Sequence, residues 1–422
     1  MTMDIPADVW HIIRTLNDNN FEAYIVGGCV RDCIMGKKPG DWDVATSAKP
    51  LQVKALFPQT FDTGIKHGTV TVVINKTNYE VTTYRIDGPY ADGRRPESVS
   101  FEASLADDLC RRDFTINAVA FHPDTGAVDP FGGVADIGRG VIRGVGDPDV
   151  RFGEDALRML RAVRFAAQLG FEIDGPTMRA VHDNRMLLRS VSAERVRDEL
   201  TKILCSGHPE KLALLFSTGL ADGFSESFRL RAVEAENAVL LLRRACENKT
   251  ASWIDASFCY AVLLASRVYD QDGGNVRSFM RGLRFDSKTV GLVYRLVKWA
   301  NEPVGADEYS VRRFLSGCGT ELFCGIMELK GILLPESSDA FGAVRETGAL
   351  VMRRGDCLTA RNLAVKGETL REMGYSGGEI GEALKYLLRE ALADPSANEK
   401  GKLLELLARR HPVKRIVFKG IL

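Results

Sequence analysis

The segment IVGGCVRDCIMGKKPGDWDVAT, residues 25 to 46, constrains the chain more than any other stretch. Its β-branched start, Ile25 and Val26, suits a strand that ends at Gly27-Gly28, where the lack of a Cβ lets backbone amides approach a bound group closely. A short helix starting there offers unsatisfied N–H groups and the positive end of its dipole as a seat for phosphate. After a second break at Pro39-Gly40, Asp41 and Asp43 flank Trp42, and on a strand a spacing of two puts both carboxylates on one face. Side by side they repel, and each raises the other's pKa unless a cation lies between them. Magnesium suits such a pair, because it prefers oxygen ligands, keeps several waters and completes its octahedron with substrate phosphates. A phosphate seat shortly before a paired-aspartate strand therefore points to metal-assisted phosphoryl or nucleotidyl transfer, although either feature alone carries little.

At 422 residues the chain exceeds the roughly 250 to 300 at which single cores stop growing, so more than one domain is expected. No stretch approaches the ~20 uninterrupted apolar residues of a membrane span, and no membrane partner is expected. The start, MTMDIPADVW, lacks the basic-then-apolar layout of a secretory signal, which implies a cytoplasmic location. Nine scattered cysteines without a CxxC pair suit a reducing compartment. Cys29 and Cys33, four apart on the expected helix, suit packing better than a metal site. The His182-Asp183 pair has no further His or Asp at useful spacing, which argues against a metal-dependent hydrolase module. Formal net charge is zero, so whole-chain charge announces no nucleic-acid partner. Locally, residues 151 to 202 and the final segment RRHPVKRIVFKG are basic; solvated faces and RNA contacts are both open readings.

Taken in order, residues 6 to 20 carry Val9, Ile12, Ile13 and Leu16 on one side of a helix, and a second helix begins near Pro50. Residues 69 to 74 and 79 to 84 read as strands of a hairpin joined through 75 to 78. Glu80, Thr82 and Tyr84 then share a face. Glu80 lies beside the aspartates if its strand neighbours theirs, and is otherwise a solvent-facing acid. Residues 86 to 99 form a long loop with Arg94-Arg95 at its tip, suited to closing over an anion. Arg111, Arg112 and Asp113 stand between apolar neighbours, where charges are costly unless paired or used for binding. A run of turns over 123 to 149 ends the sheet-bearing domain. In EDALRMLRAVRFAAQLG, Arg158, Arg161 and Arg164 follow one side of a helix, and Asp155 is close enough in sequence to pair with Arg158. Such a pair is either a helix salt bridge or an edge of fixed donors and acceptors that can read a nucleobase. Ser192 is the expected N-cap of the helix SAERVRDELTKIL.

GGCVRD at 27 to 32, DWD at 41 to 43, RRDFTINA at 111 to 118, EDALRMLRAVRF at 154 to 165 and ERVRDE at 194 to 199 occur in the order of the class II tRNA nucleotidyltransferases. Over residues 20 to 205 the chain resembles this family, in particular its bacterial CCA-adding members, with poly(A) polymerases as relatives. The resemblance implies an α+β protein with a polymerase-β-like nucleotidyltransferase head (1–140) built on a short mixed sheet. An all-α neck (141–205), body (206–340) and tail (341–422) follow. It further implies that Asp41 and Asp43 hold two magnesium ions and that Glu80 stands where relatives draw a third acid. Gly28 and Arg31 would touch the nucleotide's phosphates, and Arg112 and Asp113 would lie near its sugar and phosphates. Asp155 and Arg158 would pair with cytosine or adenine, with Arg161 and Arg164 adding nucleotide contacts.

The implied activity is untemplated addition of C, C and A to the 3′ end of tRNA from CTP and ATP. A terminal-A-adding enzyme and a poly(A) polymerase are the alternatives in the same class, and a non-catalytic RNA-binding relative is the alternative in another. The loop from Asp87 to Pro96 resembles the flexible loop of full CCA-adding enzymes. Arg409, Arg410, Lys414, Arg415 and Lys419 are candidate tRNA-backbone contacts. A neutral chain with local basic patches suits the gripping of one folded RNA.

Overall fold

The computed structural model describes residues 3–88, 98–101, 103–224, 232–247, 255–265 and 274–410. Most of the expected arginine-tipped loop therefore lies outside the described residues, as do Lys414, Arg415 and Lys419. The chain divides into two compact units, Met1–Glu247 with Ser278–Asp286, and Asn248–Arg277 with Ser287–Leu422.

The first unit begins with α1 (Ala7–Asp18), whose Val9, Ile12, Ile13 and Leu16 are all buried, as helical spacing requires. Next come β1 (Ala23–Val26), α2 (Gly28–Ile34), β2 (Asp43–Thr46), α3 (Pro50–Leu56) and β3 (Thr60–Gly64). The hairpin is β4 (Thr69–Ile74) and β5 (Thr77–Thr83). It is tighter than expected: Asn75 and Lys76 both take positive φ, the backbone of a two-residue turn that matches strand twist. A short ladder of β6 (Ile86–Asp87) and β7 (Val99–Ser100) precedes α4 (Leu105–Cys110), β8 (Ala120–His122) and β9 (Gly126–Val128).

Seven strands form one mixed sheet in the order β3-β4-β5-β2-β1-β8-β9. Only β2 and β5 run parallel; the other pairs are antiparallel. On one face Ile25, Val44, Val70, Val72 and Val81 pack with α1, Cys29 and Val30 of α2, and Val53 of α3. On the other, Val26, Ala45 and Ala120 pack with Leu105 and Leu109 of α4. Strand alternation sends successive residues to opposite faces, so Asp43 points to the α4 side, away from Val44.

The stretch 123–149 holds more than turns: β9, α5 (Gly133–Arg139), β10 (Val141–Ile142) and the start of α6 (Pro148–Glu154). These elements are too short to impose a hydrophobic period among so many glycines. Beyond them, α7 (Leu157–Leu169) packs on α9 (Ala193–Leu204), with β11 (Glu172–Ile173), which pairs in parallel with β10, and α8 (Gly175–Asn184) between them in sequence. Ser192 occupies the N-cap of α9, but its side chain makes no capping bond. Two short helices, α10 (Ala213–Ser217) and α11 (Ala221–Phe224), and the longer α12 (Ala232–Glu247) complete this part of the unit.

Beyond α13 (Ala256–Ala265) and α14 (Gly274–Gly282), the second unit runs through α15 (Ser287–Asn301), α16 (Glu308–Cys318), α17 (Thr320–Leu333) and α18 (Ser338–Arg354). It ends with α19 (Gly367–Glu372), α20 (Gly378–Ala393) and α21 (Lys400–Arg410). The last three helices share a small core of Leu370, Leu387, Ala391, Leu403 and Leu407. Arg312, 4 % exposed, ties the end of α20 to α16: its guanidinium donates to the carbonyls of Leu392 (2.6 Å) and Ala393 (3.3 Å) and pairs with Glu308 and Asp356. Such a charge is tolerated in the interior because every side of it is answered.

All nine cysteines are free thiols. Among the described residues no helix is long and apolar enough to cross a membrane.

Candidate active site

One cavity of about 540 Å³ in the first unit gathers residues from five segments of the chain. Gly27, Gly28 and Arg31 come from the β1–α2 turn, Asp41 and Asp43 from the start of β2, Arg111 to Asp113 and Asn117 from the turn after α4, and Asp155, Arg158, Arg161, Arg164 and Arg195 from the helices beyond. Seven arginines face four aspartates in its lining, an excess that suits an anionic occupant.

At one end, Gly27 has φ of +81°, a backbone state that L side chains rarely adopt. A Cβ there would stand 3.1 Å from Nη1 of Arg112 and 3.8 Å from Oδ2 of Asp43. Glycine thus brings the β1–α2 turn against the acidic strand. Asp43 opens β2, whereas Asp41 stands in the bend before it, so the two do not share a strand as the spacing implied. Their charges meet nevertheless. Burial, the charge of Asp41 and the charge of Glu80 push the Asp43 carboxyl up to about 6, against an opposing pull from Arg112. Glu80 lies directly across the parallel β2–β5 ladder from Asp43 and is exposed rather than part of the cavity lining.

This acidic end fits a hard divalent cation, since its donors are carboxylate oxygens and Asp43 carries a repulsion that a cation would relieve. Among the described residues no three His, Cys, Asp or Glu side chains are gathered closely enough to enclose an ion. The fit is to an ion held by few protein oxygens, with water and phosphate supplying the rest.

The middle of the cavity is built around Asp113 and Asn117. Asp113 is 7 % exposed; its Oδ1 accepts from the Phe114 amide (2.8 Å) and Asn117 Nδ2 (3.1 Å), and its Oδ2 from Arg161 Nε (2.7 Å). Burial works to raise its pKa, but Arg161 and the bond from Asn117 outweigh it and hold the carboxyl near 2. Asn117 Oδ1 in turn accepts from Arg31 Nη1 at 2.8 Å. Asn117 was not singled out by sequence reasoning, although it stands inside RRDFTINA, because a lone Asn carries no charge signal. Arg31, Arg161 and Arg164 all approach the Phe165 ring, Arg164 to 4.1 Å from its centroid. Arg164 also pairs with the nearly buried Glu199 at 2.8 Å, and burial lowers its pKa to about 10 despite that partner.

At the far end the expected Asp155–Arg158 pair does not form. Asp155 is the extended residue between α6 and α7 (φ −144°, ψ 100°), so helical spacing does not apply to it. Its carboxylate caps the Leu157 amide (3.1 Å) and accepts two bonds from Arg195, at 3.2 and 2.7 Å. Arg158 instead donates to Glu154 (2.6 Å) and to the carbonyls of Arg151 (3.1 Å) and Arg111 (2.9 Å). Arg195 is a cavity residue that charge counting left undistinguished within its basic run; its place in ERVRDE was the available signal. Arg409 and Arg410 stand elsewhere, in the last turn of α21 in the second unit.

A seven-stranded mixed sheet bearing an acidic strand beside a glycine turn, above a basic cavity, defines a nucleotidyltransferase head. The family described as Poly A polymerase head domain matches residues 23–143, and that described as probable RNA and SrmB-binding site of polymerase A matches residues 170–228. The CCA-adding enzyme of Levilactobacillus brevis is 35 % identical over 397 residues, covering 93 % of this chain and 95 % of the relative. That of Geobacillus kaustophilus is 38 % identical over 405 residues, covering 95 % and 96 %. The crystal structure of the Bacillus stearothermophilus CCA-adding enzyme in complex with CTP superposes with a TM-score of 0.77 at 32 % identity, covering 95 % of this chain and 97 % of that one. The chain belongs to the CCA-adding enzyme family of nucleotidyltransferases.

Proposed function

We propose that this protein adds C, C and A in turn to the 3′ end of tRNA, using CTP and ATP and releasing pyrophosphate at each step. The observation that carries the reading is the single cavity that joins a carboxylate pair beside a glycine turn to a protein-held Asp155 and Arg158. Asp41 and Asp43 would hold magnesium, and Glu80 on the neighbouring strand is the third catalytic acid. Bound there, magnesium would activate the 3′-hydroxyl and neutralise charge on the triphosphate. The 3′-hydroxyl oxygen bonds to the α-phosphorus in line, the bond from that phosphorus to the α–β bridging oxygen breaks, pyrophosphate leaves with the electron pair, and the hydroxyl proton passes to water.

The chain's own groups do the remaining work by position. Gly28 and Arg31 take phosphate oxygens, and Arg112 and Asp113 border the sugar. Asp155 accepts from an exocyclic amino group, which cytosine and adenine both carry, and Arg158 donates to the ring nitrogen beside it; uracil and guanine present the opposite pattern on that edge. Arg161 and Arg164 supply further nucleotide contacts. A cytoplasmic location follows from a tRNA substrate.

The test is incorporation of labelled nucleotides, with magnesium, into one tRNA ending before CCA, after CC, or complete. Addition of C, C and A to the first form with arrest at CCA is the expected result. Addition of A to the CC form alone, or long A tails on any RNA, would replace the reading by a terminal-A enzyme or a poly(A) polymerase. Asp41→Ala should abolish turnover and keep tRNA binding.

A further inference from the structure

Helix α4 ends by delivering Arg111 and Arg112 to the cavity wall, and it carries between Leu105 and Cys110 a residue that no step above uses, Asp108. The helix is short and its start is fixed by a reciprocal cap: Ser104 Oγ accepts from the Asp107 amide (3.2 Å) while Asp107 Oδ2 accepts from the Ser104 amide (2.9 Å). Asp108 is 0 % exposed. A carboxylate at that depth has to be answered, and both answers are arginines of the cavity. Its Oδ1 accepts from Arg111 Nε (3.0 Å) and Nη2 (2.6 Å), and its Oδ2 from Arg112 Nη2 (3.1 Å). Burial works to raise its pKa, but the two guanidinium charges hold it below the ordinary carboxylate range.

Adjacent in sequence and of like charge, Arg111 and Arg112 would otherwise repel and splay. The Asp108 carboxylate bridges the two guanidinium planes, and Asp87 Oδ2, 3.7 Å from Nη1, is a second and looser partner of Arg111. Arg112 also reaches the Asn117 carbonyl (3.4 Å) and lies against the Gly27 turn, while the Arg111 carbonyl receives Arg158. Asp108 takes two N–H groups of Arg111 and one of Arg112; with five donors each, both guanidinium groups keep N–H groups for oxygens in the cavity even with Asp87 near Nη1 of Arg111 and the Asn117 carbonyl on Nη1 of Arg112.

We propose that Asp108 is a positioning residue that holds Arg111 and Arg112 as a preformed pair for the polyphosphate of the incoming nucleotide. It touches no substrate; it acts by removing the reorganisation that two mobile guanidinium groups would require on binding. The proposal rests on the reading of this cavity as the nucleotide site and adds Arg111 and Asp108 to its phosphate-handling part.

The experiment measures inhibition of CTP incorporation by inorganic pyrophosphate and by cytidine, which lacks phosphate, in the full-length protein. Asp108→Asn should raise the inhibition constant for pyrophosphate and the KM for CTP by about tenfold, the loss of roughly one charge-assisted bond. The cytidine constant should stay within about twofold, and Asp108→Glu should recover most of the pyrophosphate affinity. Equal weakening of cytidine and pyrophosphate would mark a general structural role and overturn the proposal, as would unchanged pyrophosphate inhibition. Should Asp108→Asn fail to fold, Arg111→Gln decides the matter: selective loss of pyrophosphate affinity supports the pair, and its retention overturns it. Wild-type protein that incorporates no nucleotide would overturn the site reading itself, a result distinct from a change in the ratio of the two constants.

Discussion

Asp43 and Glu80 face each other across the only parallel pairing of the seven-stranded sheet. The ladder keeps Glu80 beside Asp43, whose carboxyl is pushed up to about 6 by burial first and then by the charges of Asp41 and Glu80. In the unfolded chain the group titrates near 3.8. Below pH ~4 it is neutral in both states and costs nothing. As pH rises through about 6, the folded state has to ionise it against burial, Asp41 and Glu80, so metal-free stability falls across that window. We expect Asp43→Asn in EDTA to be more stable than wild type at pH 7.5, by on the order of 2 kcal/mol, and equal to it at pH 4. Magnesium should raise the melting temperature of wild type and not of the variant. Parallel pH profiles, or equal magnesium shifts, would contradict the site.

The neighbouring turn gives a contrast between two adjacent glycines. Gly27→Ala places a Cβ in a positive-φ residue at 3.1 Å from Arg112, and should cost about 1–2 kcal/mol in urea unfolding and about 10- to 100-fold in turnover. Gly28→Ala meets only the tip of Arg31, at 3.5 Å, and has ordinary φ. Its unfolding midpoint should stay near that of wild type. Equal destabilisation by both would show that the turn is not governed by Gly27.

Much of this was legible in the sequence because local rules were obeyed. The apolar spacing of α1, the strand–glycine–helix passage at Gly27 and the hairpin after Gly68 follow from periodicity and turn chemistry alone. The partnership of Glu80 with Asp43 could be stated only conditionally, since register between strands 30-odd residues apart is a tertiary fact. β8 and β9 escaped notice because three-residue strands carry too little alternation to read. The exchange of partners at Asp155 was illegible for a sharper reason: one extended residue between α6 and α7 cancels the helical spacing that made Arg158 its neighbour.

That exchange makes a prediction about coupling. Asp155 is gripped by Arg195, so a double-mutant cycle on this pair should show an interaction of about 1–3 kcal/mol, whereas Asp155 and Arg158 should be nearly additive in stability. In activity, Arg195→Ala should loosen base choice, raising UTP incorporation relative to CTP, because Asp155 loses the bonds that orient it. Stability coupling between Asp155 and Arg158 equal to that with Arg195 would overturn the arrangement.

The second unit offers a test of a different kind. Arg409 and Arg410 close α21, and the Arg410 guanidinium lies 4.3 Å from the centre of the Tyr386 ring on α20. Stacking of this sort fixes the planar cation while leaving its edge available to a phosphate. If both arginines bind the tRNA backbone, replacing them by Gln should weaken tRNA binding and flatten the plot of log affinity against log salt by somewhat under one unit per lost phosphate contact. The loss should be the same for every tRNA sequence, since phosphate contacts carry no base information. On the proposed reading, rejection of U and G should not change, because Asp155 and Arg158 are untouched. Tyr386→Leu, which removes the ring and keeps both charges, should reproduce part of the loss in affinity with little change in the salt slope. A salt slope identical to wild type in the Arg409→Gln, Arg410→Gln protein would remove α21 from the tRNA-binding surface.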